Sequence, residues 1–145
     1  MLHSKTALFL VLVSAVFPAF AHHGDAGRYE DELTILNGTV VELQLIIPHS
    51  IIVFDVTGAD GKSARWQAEL GARTAMIKDF GWTKDTLKTG DKITLTGRKV
   101  KSGAPYMNLT DRANVVMTEG GKEIFRTTNY GTNERKRPVE QLVNP

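Results

Sequence analysis

The fold is decided by residues 38–56, which read GTVVELQLIIPHSIIVFDV. Most of these residues are β-branched, aliphatic or aromatic, a composition typical of half-buried strands. Pro48 divides the stretch, because proline cannot donate a hydrogen bond to a neighbouring strand. The pattern therefore predicts two strands that meet at a corner, with His49 at that corner.

Each of these strands is predicted to have one apolar face, because side chains alternate along a strand. The first strand is expected to place Val41, Leu43, Leu45 and Ile47 on that face, and the second Ile52, Phe54 and Val56. Ile46, Ile51 and Val53 are predicted to face away from the core. An exposed apolar patch of this kind usually marks an interface.

The remaining chain adds three strands and a helix. Asp60-Gly61 predicts a tight turn into a third strand over 64–70. A helix is predicted over 72–80, ended by Gly81 as a left-handed cap that places Trp82 over Ile77. Strands four and five are predicted over 93–98 and 107–117, with a short addition over 123–126.

This element order predicts a mainly β fold, a five-stranded Greek-key OB-like barrel with one helix between strands three and four. Met76, Phe80 and Trp82 have the size and polarity to plug one end of the barrel. A small β-sandwich with a lateral helix is the alternative. The barrel is assigned to residues 34–126.

The two ends of the chain have other predicted roles. Residues 1–21 have the pattern of a secretory signal peptide, with Lys5, an apolar run and the cleavage sequence Ala19-Phe20-Ala21. Residues 22–33 are predicted to form a flexible arm, and 127–145 a polar, disordered tail. The expected location is periplasmic or secreted, with no membrane span after cleavage.

The composition excludes some classes of partner. Removal of residues 1–21 takes away Lys5 and leaves 17 basic against 16 acidic residues, so no strong positive field attracts nucleic acid. There is no cysteine, and therefore neither a disulfide nor a cysteine nucleophile. Ser50 and His49 are neighbours on opposite strand faces, so they cannot form a catalytic pair. A non-catalytic protein is expected.

Several ordered motifs resemble the exported bacterial family known as domain of unknown function 6152. They are Ala21-His22-His23, Gly38-Thr39-Val40, Pro48-His49-Ser50, Asp60-Gly61-Lys62, Trp66, Glu69-Leu70-Gly71, Gly81-Trp82 and 87–93. The resemblance covers roughly residues 19–104. Ile47 stands where the family usually has Asn, and Pro105 to Asn108 differ from its glycine-rich loop. The resemblance implies export and a domain shape, and no particular chemistry.

The histidines predict a metal site. Cleavage after Ala21 would leave His22 with a free α-amino group, and an amine and its own imidazole can chelate one metal ion. His23 and His49 would complete a set of nitrogen ligands that suits Cu(II). The arrangement is similar to the N-terminal histidine brace of copper proteins. Copper is therefore the expected cofactor, and Zn(II) or Ni(II) would be bound less selectively by the same nitrogen ligands.

Other interpretations of the same residues remain open. His22 and His23 also fit a mobile polar start, and His49 a structural role at the corner. Met76, Met107 and Met117 with a tryptophan would suit Cu(I), although such residues are more often core. The alternative function is a metal-free interaction module that binds a periplasmic protein, peptide or glycan through the outer face of strands two and three, with Ile51, Val53, Arg65 and Gln67.

Overall fold

The computed structural model describes residues 27–131. Within this range the chain forms, in order, β1 (Thr34–Gln44), β2 (Ile51–Thr57), β3 (Ser63–Glu69), α1 (Arg73–Phe80), β4 (Lys92–Lys99), β5 (Tyr106–Asn108), β6 (Asn114–Met117) and β7 (Glu123–Arg126). The predicted signal peptide, His22, His23 and residues 132–145 lie outside the described range.

Five of the strands close into a barrel. β1 pairs with β2 and β4, and β2 pairs with β3, all antiparallel. β5 closes the ring, because it runs parallel to β3 and antiparallel to β4. Within residues 27–131 the one helix lies between the third and fourth strands. The predicted mainly β, OB-like barrel with a central helix is confirmed.

The barrel interior is filled by one face of each strand. Ile52 and Phe54 are fully buried, as their alternation predicts. In β1 the register shifts between Val40 and Glu42, which is the mark of a β-bulge. The bulge takes Val41 out of the predicted alternation, so Val40 is the buried valine, at 1 % exposure.

The prediction for Ile47 is wrong. β1 ends at Gln44, so strand alternation does not reach Ile47, whose side chain is 73 % exposed in the β1–β2 loop. Leu43 and Leu45 pack against the core as predicted.

Helix α1 ends as predicted at Gly81, which has the left-handed φ of 67°. Two backbone hydrogen bonds close the helix end. The backbone N–H of Gly81 donates to the Ile77 carbonyl at 3.1 Å, and the backbone N–H of Trp82 donates to the Met76 carbonyl. The Trp82 side chain is buried, at 2 % exposure, and its ring packs edge-on against the ring of Phe125. Phe80 is 41 % exposed, so the predicted plug consists of Met76 and Trp82 without it.

The predicted fifth strand over 107–117 is two strands, β5 and β6, separated by residues 109–113. Both neighbour β4, which pairs with β6 through Thr96 and with β5 from Arg98 onward. The chain turns in between, where Asn108 Oδ1 accepts hydrogen bonds from the backbone and hydroxyl of Thr110 and Arg112 has a φ of 48°.

The folded domain extends beyond the predicted limits of 34–126. Part of the predicted arm packs on the barrel: Tyr29 is buried and bridges to Val100. At the other end Thr127 donates its N–H to the Ala113 carbonyl at 2.9 Å. Both segments are held because they complete backbone hydrogen bonds that the barrel edge offers. No helix in the described part has the length and apolarity to cross a membrane.

Candidate functional site

His49 lies on the β1–β2 loop, immediately after the cis Ile47–Pro48 bond. Ser50, the next residue, ties the loop to the chain after β3. Its backbone N–H donates to the Gly71 carbonyl, and its carbonyl accepts a hydrogen bond from the Leu70 N–H. Ser50 is buried, whereas the His49 side chain is half exposed. The two side chains therefore point apart, as the alternation of neighbouring residues predicts.

The nearest charged group to the His49 ring is Glu69, the last residue of β3. His49 Nδ1 lies 3.4 Å from Glu69 Oε1, and the carboxylate side chain is only 15 % exposed. This distance is about half an ångström longer than a typical N–H···O hydrogen bond.

Tyr106 forms a hydrogen bond with the other carboxylate oxygen of Glu69. β5 runs parallel to β3 with Tyr106 opposite Gln67, and the Tyr106 hydroxyl donates a short hydrogen bond to Glu69 Oε2. Burial, followed by this bond and the charge of Glu69, raises the pKa of Tyr106 well above its usual value. The hydroxyl therefore remains protonated, and Glu69 keeps its donor across the physiological pH range.

The start of the described chain lies beside Tyr106. The Arg28 guanidinium carbon is 5.3 Å from the ring centre of Tyr29 and 5.6 Å from that of Tyr106. Arg28 also accepts a hydrogen bond at its carbonyl from the Lys101 N–H. The described chain therefore begins one side chain away from the Tyr106–Glu69–His49 cluster.

The cluster lies where OB barrels carry their ligands, at the face of strands two and three between the β1–β2 and β4–β5 loops. A groove of about 480 Å³ continues from it along the β4–β5 loop. Its lining includes Arg28, Lys101 and Tyr106.

The four predicted ligand-face residues share the outer face of β2 and β3. Val53 lies opposite Gln67, and Ile51 lies opposite Glu69. Ile51 and Val53 are half-buried, and Gln67 is exposed. Arg65 is engaged by Asp55, to which it donates two hydrogen bonds at 2.9 and 3.1 Å.

Chemically, the cluster places one imidazole beside a carboxylate. At metal centres a carboxylate that accepts the second N–H of a histidine ligand orients its ring. Within residues 27–131 no three His, Cys, Asp or Glu side chains gather where they could hold a metal ion. Of the three predicted ligands, His49 is placed by the structure, whereas His22 and His23 lie outside the described residues.

The thioether alternative is disfavoured by burial. Met76 and Met107 are fully buried in the core cluster, with Trp82 in the same cluster. These residues fill space in the core, which is the usual role of methionine.

Glu69 and Tyr106 are residues of the candidate site that local sequence patterns do not single out. Glu69 occurs in the Glu69-Leu70-Gly71 motif, but its role depends on the parallel β3–β5 pairing. Tyr106 lies in the stretch that differs from the family pattern. The only local signal for either residue was the outward position of Glu69 in the alternation of strand three.

Comparison with known proteins identifies a family and no function. No curated protein and no solved structure matches the chain significantly. A family model described as "Family of unknown function (DUF6152)" matches residues 10–107, which is more than half of the chain and includes His49, Glu69 and Tyr106. The chain therefore belongs to this family of unknown function.

Proposed function

We propose that this is an exported, non-catalytic copper-binding protein, in which the mature N-terminus and His49 together hold Cu(II). The observation that supports it is the His49–Glu69–Tyr106 cluster, next to which the described chain begins with Arg28 against the Tyr106 ring. The α-amino group and imidazole of His22 would supply two nitrogens, and His49 a third. His23 would supply a further nitrogen.

The arrangement requires the residues before Gly27 to fold back to His49. His22 precedes Gly27 by five residues, which span up to about 17 Å when extended. Arg28 contacts the Tyr106 ring, Tyr106 contacts Glu69, and Glu69 contacts His49. The binding of the ion must offset the entropy of ordering those five residues.

Glu69 and Tyr106 would act as positioning residues. A carboxylate that accepts Nδ1–H fixes the tautomer of His49, so that Nε2 carries the lone pair. Tyr106 keeps Glu69 in place through the second oxygen. Neither residue needs to touch the metal.

Titration with Cu(II) tests the proposal on two forms of the protein, one beginning at His22 and one with an extra residue before it. The extra residue should weaken Cu(II) binding by at least about tenfold. With a residue before it, the nitrogen of His22 is part of a peptide bond and is no longer a free α-amino group. Affinity should also fall as the pH is lowered through about 6.5, because protons compete for imidazole nitrogens. Equal affinity of the two forms would contradict the proposal.

Three substitutions then test the cluster. His49→Ala should weaken binding strongly, and Glu69→Gln and Tyr106→Phe by about tenfold each, the effect expected of groups that orient a ligand. Asp55→Asn is the matched control, because Asp55 lies on the same outer face but is paired with Arg65. If His22→Ala alone removes binding and His49→Ala does not, the site is a local chelate and His49 is structural.

The second candidate is a metal-free interaction module. It is favoured by the continuous outer face of Ile51, Val53 and Gln67, which leads to Glu69 across the β2–β3 register. Its ligand would be a partner protein, a peptide or a glycan. The same titration separates the two functions, because a module without metal shows no saturable Cu(II) binding in any form.

A further inference from the structure

Two positive side chains, Arg28 and Lys101, are held opposite each other beside the barrel. The segments that carry them are paired antiparallel, because Tyr29 bridges to Val100 and the Lys101 N–H donates to the Arg28 carbonyl at 2.9 Å. This register places Arg28 directly across from Lys101. Like charges in such opposed positions destabilise the pairing of their strands.

The next pair in the same register is matched in charge. Glu30 lies across from Lys99, and its N–H donates to the Lys99 carbonyl at 2.9 Å. The two charged groups approach each other to 4.0 Å. Within residues 27–131, in contrast, neither Arg28 nor Lys101 forms an ion pair with a carboxylate. The described chain therefore leaves two neighbouring positive charges uncompensated.

Two aromatic rings hold the Arg28 guanidinium in place. Its central carbon lies 5.3 Å from the ring centre of Tyr29 and 5.6 Å from that of Tyr106, which are cation–π distances. No oxygen among residues 27–131 accepts a hydrogen bond from this guanidinium. Its five N–H donors, whose planar fork matches the oxygens of a carboxylate or phosphate, are therefore available to a ligand.

Both cations line the groove of about 480 Å³ along the β4–β5 loop, together with Ser102 and Tyr106. The volume is typical of sites for small molecules. No acidic side chain of the described chain lines the groove. The charge, the free donors and the concave shape are together complementary to a small anion.

We propose that this groove binds a small-molecule oxyanion through a carboxylate or phosphate group. Arg28 donates to two oxygens of that group, and Lys101 contributes a point charge. This binding needs no metal, and neither cation is among the proposed copper ligands. The site is therefore tested independently of copper.

Calorimetric titration of the metal-free protein with citrate and with pyrophosphate tests the proposal. The first probe presents carboxylates and the second presents phosphates, so their relative affinities identify the class of oxyanion. The titrations are run at about 0.15 M salt, where attraction between exposed charges is screened beyond about 8 Å. Saturable binding of at least one probe is expected, and the absence of saturable binding for both would overturn the proposal.

Substitutions of the two cations locate the bound anion. Arg28→Gln should weaken binding of the tighter probe by at least about tenfold, because it removes the fork of charged donors. Arg28→Lys should weaken it less, because one positive charge remains. Lys101→Gln leaves the tyrosine contacts of Arg28 unchanged and should weaken binding by about threefold, as expected for an exposed charge.

Lys122→Gln is the matched control, because it removes one exposed positive charge far from the groove. Lys122 lies in the β6–β7 turn, next to the start of β4, where the Thr118 N–H donates to the Lys92 carbonyl. The groove follows the other end of β4. The control should bind the probe as the parent does. An equal loss of affinity in Lys122→Gln and Arg28→Gln would mean attraction to the net charge, and would contradict a site in the groove.

Discussion

Among single residues, Trp82 connects two elements, α1 and β7. It follows the left-handed Gly81 cap of α1, its indole N–H donates to the Ile124 carbonyl of β7, and its ring packs against Phe125. A buried tryptophan needs a partner for its N–H, and here the partner comes from the last strand. The helix and the strand β7 are therefore tied through one side chain.

Replacement of Trp82 should accordingly destabilise the whole domain. Trp82→Ala is expected to lower the free energy of unfolding by about 3–5 kcal/mol, through lost packing and the cavity left behind. Trp82→Phe retains much of the ring and should cost less, including about 1 kcal/mol for the lost hydrogen bond. Urea denaturation measures both. If Trp82→Ala unfolds at the same urea concentration as the parent, the ring does not plug the barrel.

At the scale of elements, the barrel closes at Gly97. On one side of this glycine β4 pairs with β6, and on the other with β5. A Cβ at position 97 would lie 2.6 Å from the Asn108 carbonyl oxygen and 2.7 Å from Leu109 Cδ2. The absence of a side chain therefore lets the end of β5 approach β4 closely enough to close the ring.

Gly97→Ala should therefore weaken the barrel at its closure. The expected loss is about 1–3 kcal/mol of unfolding free energy, the usual cost of overpacking. Gly71→Ala is the matched control, because its added Cβ would meet its nearest atoms at an ordinary 3.9 Å. Denaturation curves of both variants measure the difference. A Gly97→Ala protein as stable as the Gly71→Ala protein would show that the strands move apart without cost.

The elements also show which structural features a sequence can predict. The alternation of Ile52 and Phe54 and the Gly81 cap are local signals, and both are confirmed. The break between β5 and β6 depends on how β4 is shared by two strands, which alternation along one strand does not record. The contact between Tyr106 and Glu69 has the same origin, since it requires the parallel pairing of β3 with β5.

At the scale of the whole molecule, a polar network joins the two ends of the described chain. Asp111 accepts hydrogen bonds from Arg98 and Asn129, at 3.2 and 2.5 Å. Arg98 also donates to the Glu30 carbonyl at 2.8 Å, and Arg112 donates to the Asp31 carbonyl at 3.0 Å. One carboxylate therefore anchors both the N-terminal segment, on which the proposed copper site depends, and residues 127–131.

The network should make the stability of the domain sensitive to acid. Burial alone would raise the pKa of Asp111, but hydrogen bonds from Asn129 and Arg112 and the charges of Arg112 and Arg98 lower it below its usual value. A lowered folded-state pKa stabilises the protein above the unfolded-state value of about 3.9, and this contribution is lost as the pH falls through the folded-state pKa. Asp111→Asn should therefore reduce stability at neutral pH, and the difference from the parent should shrink in acid.

Urea midpoints measured from about pH 2 to pH 7 test this expectation. Asp79→Asn is the matched control, because Asp79 is exposed on α1 and has no ion pair among the described residues. The control should follow the parent at every pH. A deficit of Asp111→Asn that stays constant down to about pH 2 would mean that Asp111 acts through its shape and hydrogen bonds and not through its charge. Fraying of the ends on acidification, without global unfolding, would instead show as reduced amide protection, relative to the intrinsic exchange rate at each pH, at Glu30 and Thr127, whose N–H groups bond to the barrel.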